Sequence, residues 1–224
     1  MKLKTFKKCY YIFLAILIIL FYTKDINLFG NKFYKNINII NQEDDILVLV
    51  NKNNKLTKSF IPPKLEKINI KYSNKNKYLR KEARDAFEKL SKKAKSENLK
   101  ITAVSAYRSF EYQEILFNNY VKKYGRKYAL NCSAKPGHSE HQTGLAVDVM
   151  GSNNDYNKFE ETKEFLWMKE HAHEYGFILR YPKNKQKITG FKYEPWHYRY
   201  VGIYIATIIH SENITLEEFM KKYN

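Results

Sequence analysis

Two short stretches of this chain make chemical sense only if the fold brings them together. Residues 139–148 read Ser-Glu-His-Gln-Thr-Gly-Leu-Ala-Val-Asp, and residues 194–197 read Glu-Pro-Trp-His. His141, Asp148 and His197 supply two imidazoles and a carboxylate, a donor set suited to Zn²⁺. Three protein ligands leave a fourth position for water, the pattern of a catalytic rather than a structural site. Asp148 falls near the end of Leu145–Met150, a predicted strand, with His141 in the loop before it and Gly144 freeing the turn between them. Glu194, three residues before His197, is placed to take a proton from water beside such a metal and pass it to a leaving amine. Each spacing alone occurs by chance. Together, and with Arg108 upstream, they demand a fold in which distant segments converge.

The rest of the pattern says what kind of fold that is. Ile46–Val50 is a short β-branched run and reads as a strand. From Tyr78 to Ser96, Leu79, Ala83, Ala86, Phe87, Leu90 and Ala94 recur at three- and four-residue intervals, which predicts an amphipathic helix with a lysine-rich outer face. Lys100–Ala106 reads as a strand, Phe110–Tyr124 as a helix ended by Gly125, and Phe159–Tyr175 as a long helix ended by Gly176. Strands are expected at Phe177–Tyr181 and within Tyr193–Val201, on either side of a polar loop over 183–192. Ile203–His210 and Leu216–Tyr223 close the chain as helices. Strands and helices intermingle without regular alternation, so the class is α+β.

The N-terminus is a different material. Lys2, Lys4, Lys7 and Lys8 precede an uncharged, mostly apolar run from Cys9 to Thr23, with no small-x-small cleavage site after it. This favours an uncleaved signal-anchor over a removed signal peptide. The expected plan is a membrane segment at 1–23, a tether at 24–45 and one domain at 46–224, with the bulk of the chain outside the cytoplasm. The net charge of +17 divides unevenly: 23 basic against 9 acidic side chains in residues 1–100, and 17 against 14 in 101–224. A basic front end suits phospholipid head groups and anionic envelope polymers, although a solvated lysine face explains the helix at 78–96 equally well. An exported chain would meet no nucleic acid.

The sequence resembles the VanY-type D-alanyl-D-alanine carboxypeptidases, zinc peptidases of the bacterial cell wall. Ser139 to Asp148 match the pattern S-x-H-x-x-G-x-A-x-D in full, and Glu194, Trp196 and His197 match E-x-W-H. The likeness continues through Leu49–Lys52, Ser105–Ser109, Pro136–Gly144 and Tyr175–Pro182, covering roughly residues 46–210. It implies a small α+β domain of the type shared with hedgehog domains, with a central antiparallel sheet and one Zn²⁺ in a cleft on His141, Asp148 and His197. Glu194 would be general base and then acid, and Arg108 the cation facing the tetrahedral oxyanion. Ser139 and Gln113 would hold the substrate peptide and its terminal carboxylate. Water, not a serine, would be the nucleophile. The implied reaction removes the terminal D-alanine from peptidoglycan stem peptides. Three alternatives stand beside it: an L,D-carboxypeptidase of the same fold trimming tetrapeptides, a D-Ala-D-Ala dipeptidase, and a zinc-bearing wall-binding module without turnover. Arg108 as a surface arginine, Trp196 as a core residue, His138 in a loop or backing a ligand, His171 and His173 as structural or solvated, and His210 as a capping or surface residue are the plainer readings of those side chains.

Overall fold

A computed structural model describes residues 33–40 and 44–223. The chain divides into two units at Asn36, and the second, Ile37–Asn224, carries everything discussed below. The membrane segment expected at 1–23 lies outside the described residues. Among those described, no helix is long and apolar enough to cross a membrane. Part of the stretch read as tether takes structure: β1 (Asn38–Ile39) pairs in parallel with β2 (Asn54–Lys55).

β3 (Leu65–Lys67) and β4 (Tyr78–Arg80) form a short antiparallel ribbon that leads into α1 (Lys81–Ser96). The sequence reading placed Tyr78–Arg80 inside this helix. The ribbon takes them instead, and the Arg80 amide donates to Gly144 O at 2.8 Å. β5 (Thr102–Ser105) follows, then α2 (Phe110–Tyr124), whose bounds match the expectation, and α3 (Arg126–Cys132). The Ser109 hydroxyl caps α2 by accepting from the Tyr112 amide at 3.2 Å. β6 (Ala146–Met150), α4 (Lys163–His171), β7 (Phe177–Leu179), the single turn α5 (Gln186–Thr189), β8 (His197–Tyr200), α6 (Ile203–Glu212) and α7 (Leu216–Tyr223) complete the unit.

Two expectations fail for identifiable reasons. The helix foreseen over Phe159–Tyr175 breaks into a 3₁₀ segment, α4 and a second 3₁₀ turn, because Thr162 caps a new start, its hydroxyl accepting from the Phe165 amide at 3.1 Å. Ile46–Val50 joins no ladder. Its carbonyls are taken by a side chain: Arg199 donates to Ile46 O at 2.9 Å and Val48 O at 2.8 Å.

The central sheet has the order β5-β6-β8-β7, antiparallel throughout. Alternation along its strands sorts the residues by face. Val147, Val149 and Tyr198 join the main core, where α1 contributes Ala83, Phe87, Leu90 and Ala94, all fully buried. Asp148, His197 and Arg199 turn to the opposite face. The sheet therefore separates the apolar core from a polar site.

Candidate active site

Register explains how residues 49 apart in sequence meet. Asp148 on β6 lies directly opposite His197 on β8, and Ser105 on β5 lies opposite Asp148. Directly paired side chains of antiparallel neighbours sit about 5 Å apart at Cβ. The β5–β6 register shifts between Ala103 and Ser105, the kind of irregularity that re-aims side chains beside active sites. His141 comes from the 3₁₀ turn Glu140–Thr143, which ends at Gly144 with φ +69. A Cβ there would stand 3.0 Å from Leu65 and 3.3 Å from the Arg80 amide, so the ribbon's approach also requires glycine. The 194–197 segment is a β-turn closed by the His197 amide donating to Glu194 O at 3.2 Å, with Pro195 presetting its first corner. The turn sets the Glu194 carboxylate 3.9 Å from His197 Nδ1.

These pieces fit a metal ion. His141, Asp148 and His197 offer ligand atoms that all lie within 4.8 Å of one another. His141 Nδ1 bonds to Ala106 O at 2.7 Å, which leaves Nε2 as the free lone pair. That atom is buried, has no hydrogen-bond partner and lies 3.3 Å from Asp148 Oδ2. A neutral imidazole held by a backbone carbonyl on its far nitrogen is what a metal-ligating histidine needs. His197 is held the same way by a carboxylate. Its Nδ1 is 2.9 Å from Asp148 Oδ1, while Nε2 faces Glu140 Oε2 at 3.5 Å.

Electrostatics sort the groups by task. Burial pushes the Glu194 carboxyl up to about 7, where a general base for neutral pH should sit. Burial, with Arg108 beside it, lowers His141 to about 4 and keeps it neutral. For His197 burial works in the same sense, but bonds to Asp148 and Glu140 overcome it and raise the imidazole to about 9. Asp148 is buried too, yet its two histidines hold it well below the usual carboxylate range.

The structure places all seven sequence-derived residues at one cleft of about 120 Å³, lined by Arg108, Gln113, Ser139, His141, Asp148, Glu194 and His197 among others. Arg108 precedes the start of α2, and its Nε has no partner. Gln113 donates to Ala134 O at 2.8 Å and to Ser133 Oγ at 3.3 Å, which leaves its carbonyl oxygen without a partner. Trp196, read as core, both lines the cleft and packs against the edge of the main core. His138 is a buried loop residue bonded to Asn51 O at 2.8 Å. His173 and His210 stack on each other with ring centres 3.9 Å apart.

What the sequence reading missed lies behind His197. Glu140, wholly buried, accepts from Arg180 Nε at 2.7 Å and from an Arg199 terminal nitrogen at 2.8 Å. Both arginines are fully buried as well. Burial alone would raise Glu140; Arg180 and Arg199 hold it well below the carboxylate range. Arg180 then reaches α7, donating two bonds of 2.7 and 2.8 Å to Glu217. Glu140 stands inside the motif, so its position was visible, but its partners lie 40 and 59 residues away and no local spacing announces them.

Comparison with known proteins agrees with this geometry. Residues 76–203 match the model of the VanY family, described as D-alanyl-D-alanine carboxypeptidase. The chain is 42% identical over 190 residues to YodJ of Bacillus subtilis (strain 168), a protein named as a carboxypeptidase, covering 82% of this chain and 70% of that one. Among solved structures it is similar to the LdcB LD-carboxypeptidase, with a TM-score of 0.80 and 41% identity over 85% of this chain and 92% of the other. It is also similar to a vancomycin-resistance D,D-pentapeptidase VanY solved with Zn(II), with a TM-score of 0.67 and 31% identity over 78% and 98%. The chain belongs to the VanY family of carboxypeptidases.

Proposed function

We propose that the chain is a zinc carboxypeptidase that releases the terminal D-alanine from peptidoglycan stem peptides, with the D-Ala-D-Ala end of the pentapeptide as its substrate. The observation that carries this reading is the buried, unpartnered His141 Nε2 facing Asp148 and His197, with a carboxyl near 7 on Glu194 beside them. His141, Asp148 and His197 would hold one Zn²⁺, which when bound polarises a carbonyl and makes water a nucleophile at neutral pH. Glu194 accepts the proton of the attacking water and returns it to the nitrogen of the departing D-alanine as the C–N bond breaks. The unpartnered Arg108 guanidinium nitrogen is the donor for negative charge developing on the carbonyl oxygen, the kind of preorganised contact that lowers barriers most. Ser139 and Gln113 border the same cleft and would contact the peptide. A binding module without turnover would need neither Glu194 nor Arg108.

A second reading, L,D-cleavage of the tetrapeptide, is favoured by the likeness to LdcB, which exceeds that to the D,D-pentapeptidase in both identity and TM-score. Incubating the protein with synthetic penta- and tetrapeptide stems separates the two. D-Alanine from the pentapeptide alone supports the first, and release from the tetrapeptide alone supports the second. Glu194→Gln should lower turnover of the true substrate by about 10²–10⁴-fold with zinc still bound; undiminished activity would remove Glu194 from its role. The apolar run at 9–23 supports a site on the wall side of the membrane, ahead of a tether and a single catalytic domain. Protease access to the domain in intact cells tests that placement.

A further inference from the structure

The cleft is continuous with an aromatic ledge for which the hydrolysis just described has no use. Tyr120 on α2 lines the cleft. One helical turn further stands Tyr124, its ring centre 5.9 Å from that of Tyr120, and Tyr128 on α3 continues the row at 4.9 Å. The four-residue spacing within α2 puts the first two rings on one side. Gly125, at φ +83, joins the two helices, and the third ring keeps contact with the second. Tyr124 and Tyr128 remain 48% and 46% exposed. Single exposed aromatics need no explanation, but three in successive contact leading out of a cleft do.

Two lysines accompany the row. Lys123 Nζ lies 4.9 Å from the Tyr124 ring centre, and Lys192 Nζ lies 5.9 Å from that of Tyr128. Lys192 follows Phe191, itself part of the cleft wall, so the ledge is bordered from both sides of the opening. Phenol rings offer flat apolar faces with a hydroxyl at the rim. Those faces match the C–H side of a pyranose, and the hydroxyl rim and ammonium groups match sugar hydroxyls and carboxylates. A sugar on the stem stands well clear of the cut bond. An extended peptide covers about 3.3–3.6 Å per residue, so a sugar four residues from the cut bond lies roughly 14 Å away. The ledge leaves the cleft wall in steps of 5.9 and 4.9 Å.

We propose that Tyr124 and Tyr128 form a subsite for the sugar-bearing end of the stem peptide, with a pyranose against the rings and Lys192 facing the acidic groups of the peptide. This rests on the wall-peptide reading above and adds what the enzyme holds beyond the peptide. The test compares kcat/KM of the full-length chain on a disaccharide-linked stem and on the same stem without sugar, using whichever stem length the chain cleaves. The wild type should favour the sugar-bearing substrate by about tenfold. Tyr124→Ala with Tyr128→Ala should abolish that preference through KM, leaving the free peptide's rate and the melting temperature unchanged, and the paired Phe variant should retain it. Should the double variant melt early, Tyr128→Ala alone carries the same comparison. A wild type without preference, or a variant that keeps it, overturns the ledge. If the wild type cleaves neither substrate, the wall-peptide reading fails by itself. Titration with N-acetylglucosaminyl-N-acetylmuramic acid, followed by tyrosine fluorescence, then decides the ledge separately, by binding that the double variant loses or by no binding.

Discussion

Two groups of charged side chains in this molecule look alike on paper and differ in everything that matters physically. On α1, Lys81 pairs with Asp85 and Lys93 with Glu97, four residues apart and largely in water. Behind the site, Glu140 pairs with Arg180 and Arg199, all three with fully buried side chains. The exposed pairs are screened by salt and spend side-chain entropy to form. The buried group has no water to fall back on, so each member is needed by the others. The first group keeps a helix face solvated. The second fixes where an imidazole points.

Breaking the buried group should have the largest effect. Glu140→Ala leaves two guanidinium groups without their shared carboxylate and should cost about 3–5 kcal/mol of stability, read from denaturant unfolding of the metal-free protein. A loss below about 1 kcal/mol would mean that water enters the site and the contrast with α1 is false. The next effect is graded with pH. His197, raised to about 9, must give up a proton to ligate a metal. Below that value the imidazolium competes with the metal, so apparent zinc affinity should rise about tenfold per pH unit through the neutral range and level off near 9. Competition with a chromophoric chelator measures this, and a flat profile would show that Asp148 and Glu140 do not hold the proton there. The smallest effect belongs to α1: Lys81→Ala with Lys93→Ala should leave the unfolding midpoint in moderate salt unchanged. A clear drop would give the surface pairs a role their exposure denies them.

The contrast also explains what could be read in advance. That His141, Asp148, His197, Glu194 and Arg108 meet at one cleft was legible, because the chemistry they suggest needs those residue types near recognisable turns and strand ends. Strand β6 and helix α2 were legible from apolar pattern and a terminating glycine. Glu140 was overlooked because a glutamate beside a histidine carries no local sign of burial, and its partners Arg180 and Arg199 lie 40 and 59 residues away. The same blindness produced the strand assigned to Ile46–Val50, whose β-branched run was real but whose carbonyls answer to Arg199. Three-residue Tyr78–Arg80 followed the periodicity of α1, and only its pairing with Leu65–Lys67 reveals it as a strand. Long-range hydrogen bonding decided each of these, and no window of sequence contains it.

The bond from Arg180 to Glu217 has a consequence in time. Synthesis proceeds from the N-terminus, and segments begin to fold as they emerge. Glu140 and Arg180 are therefore made before the helix that completes their neutralisation, because Glu217 lies 37 residues beyond Arg180. Until α7 docks, the backing of His197 is one carboxylate short. His141, Asp148 and His197 thus precede in the chain the helix that completes their backing, and the docking of α7 finishes the site.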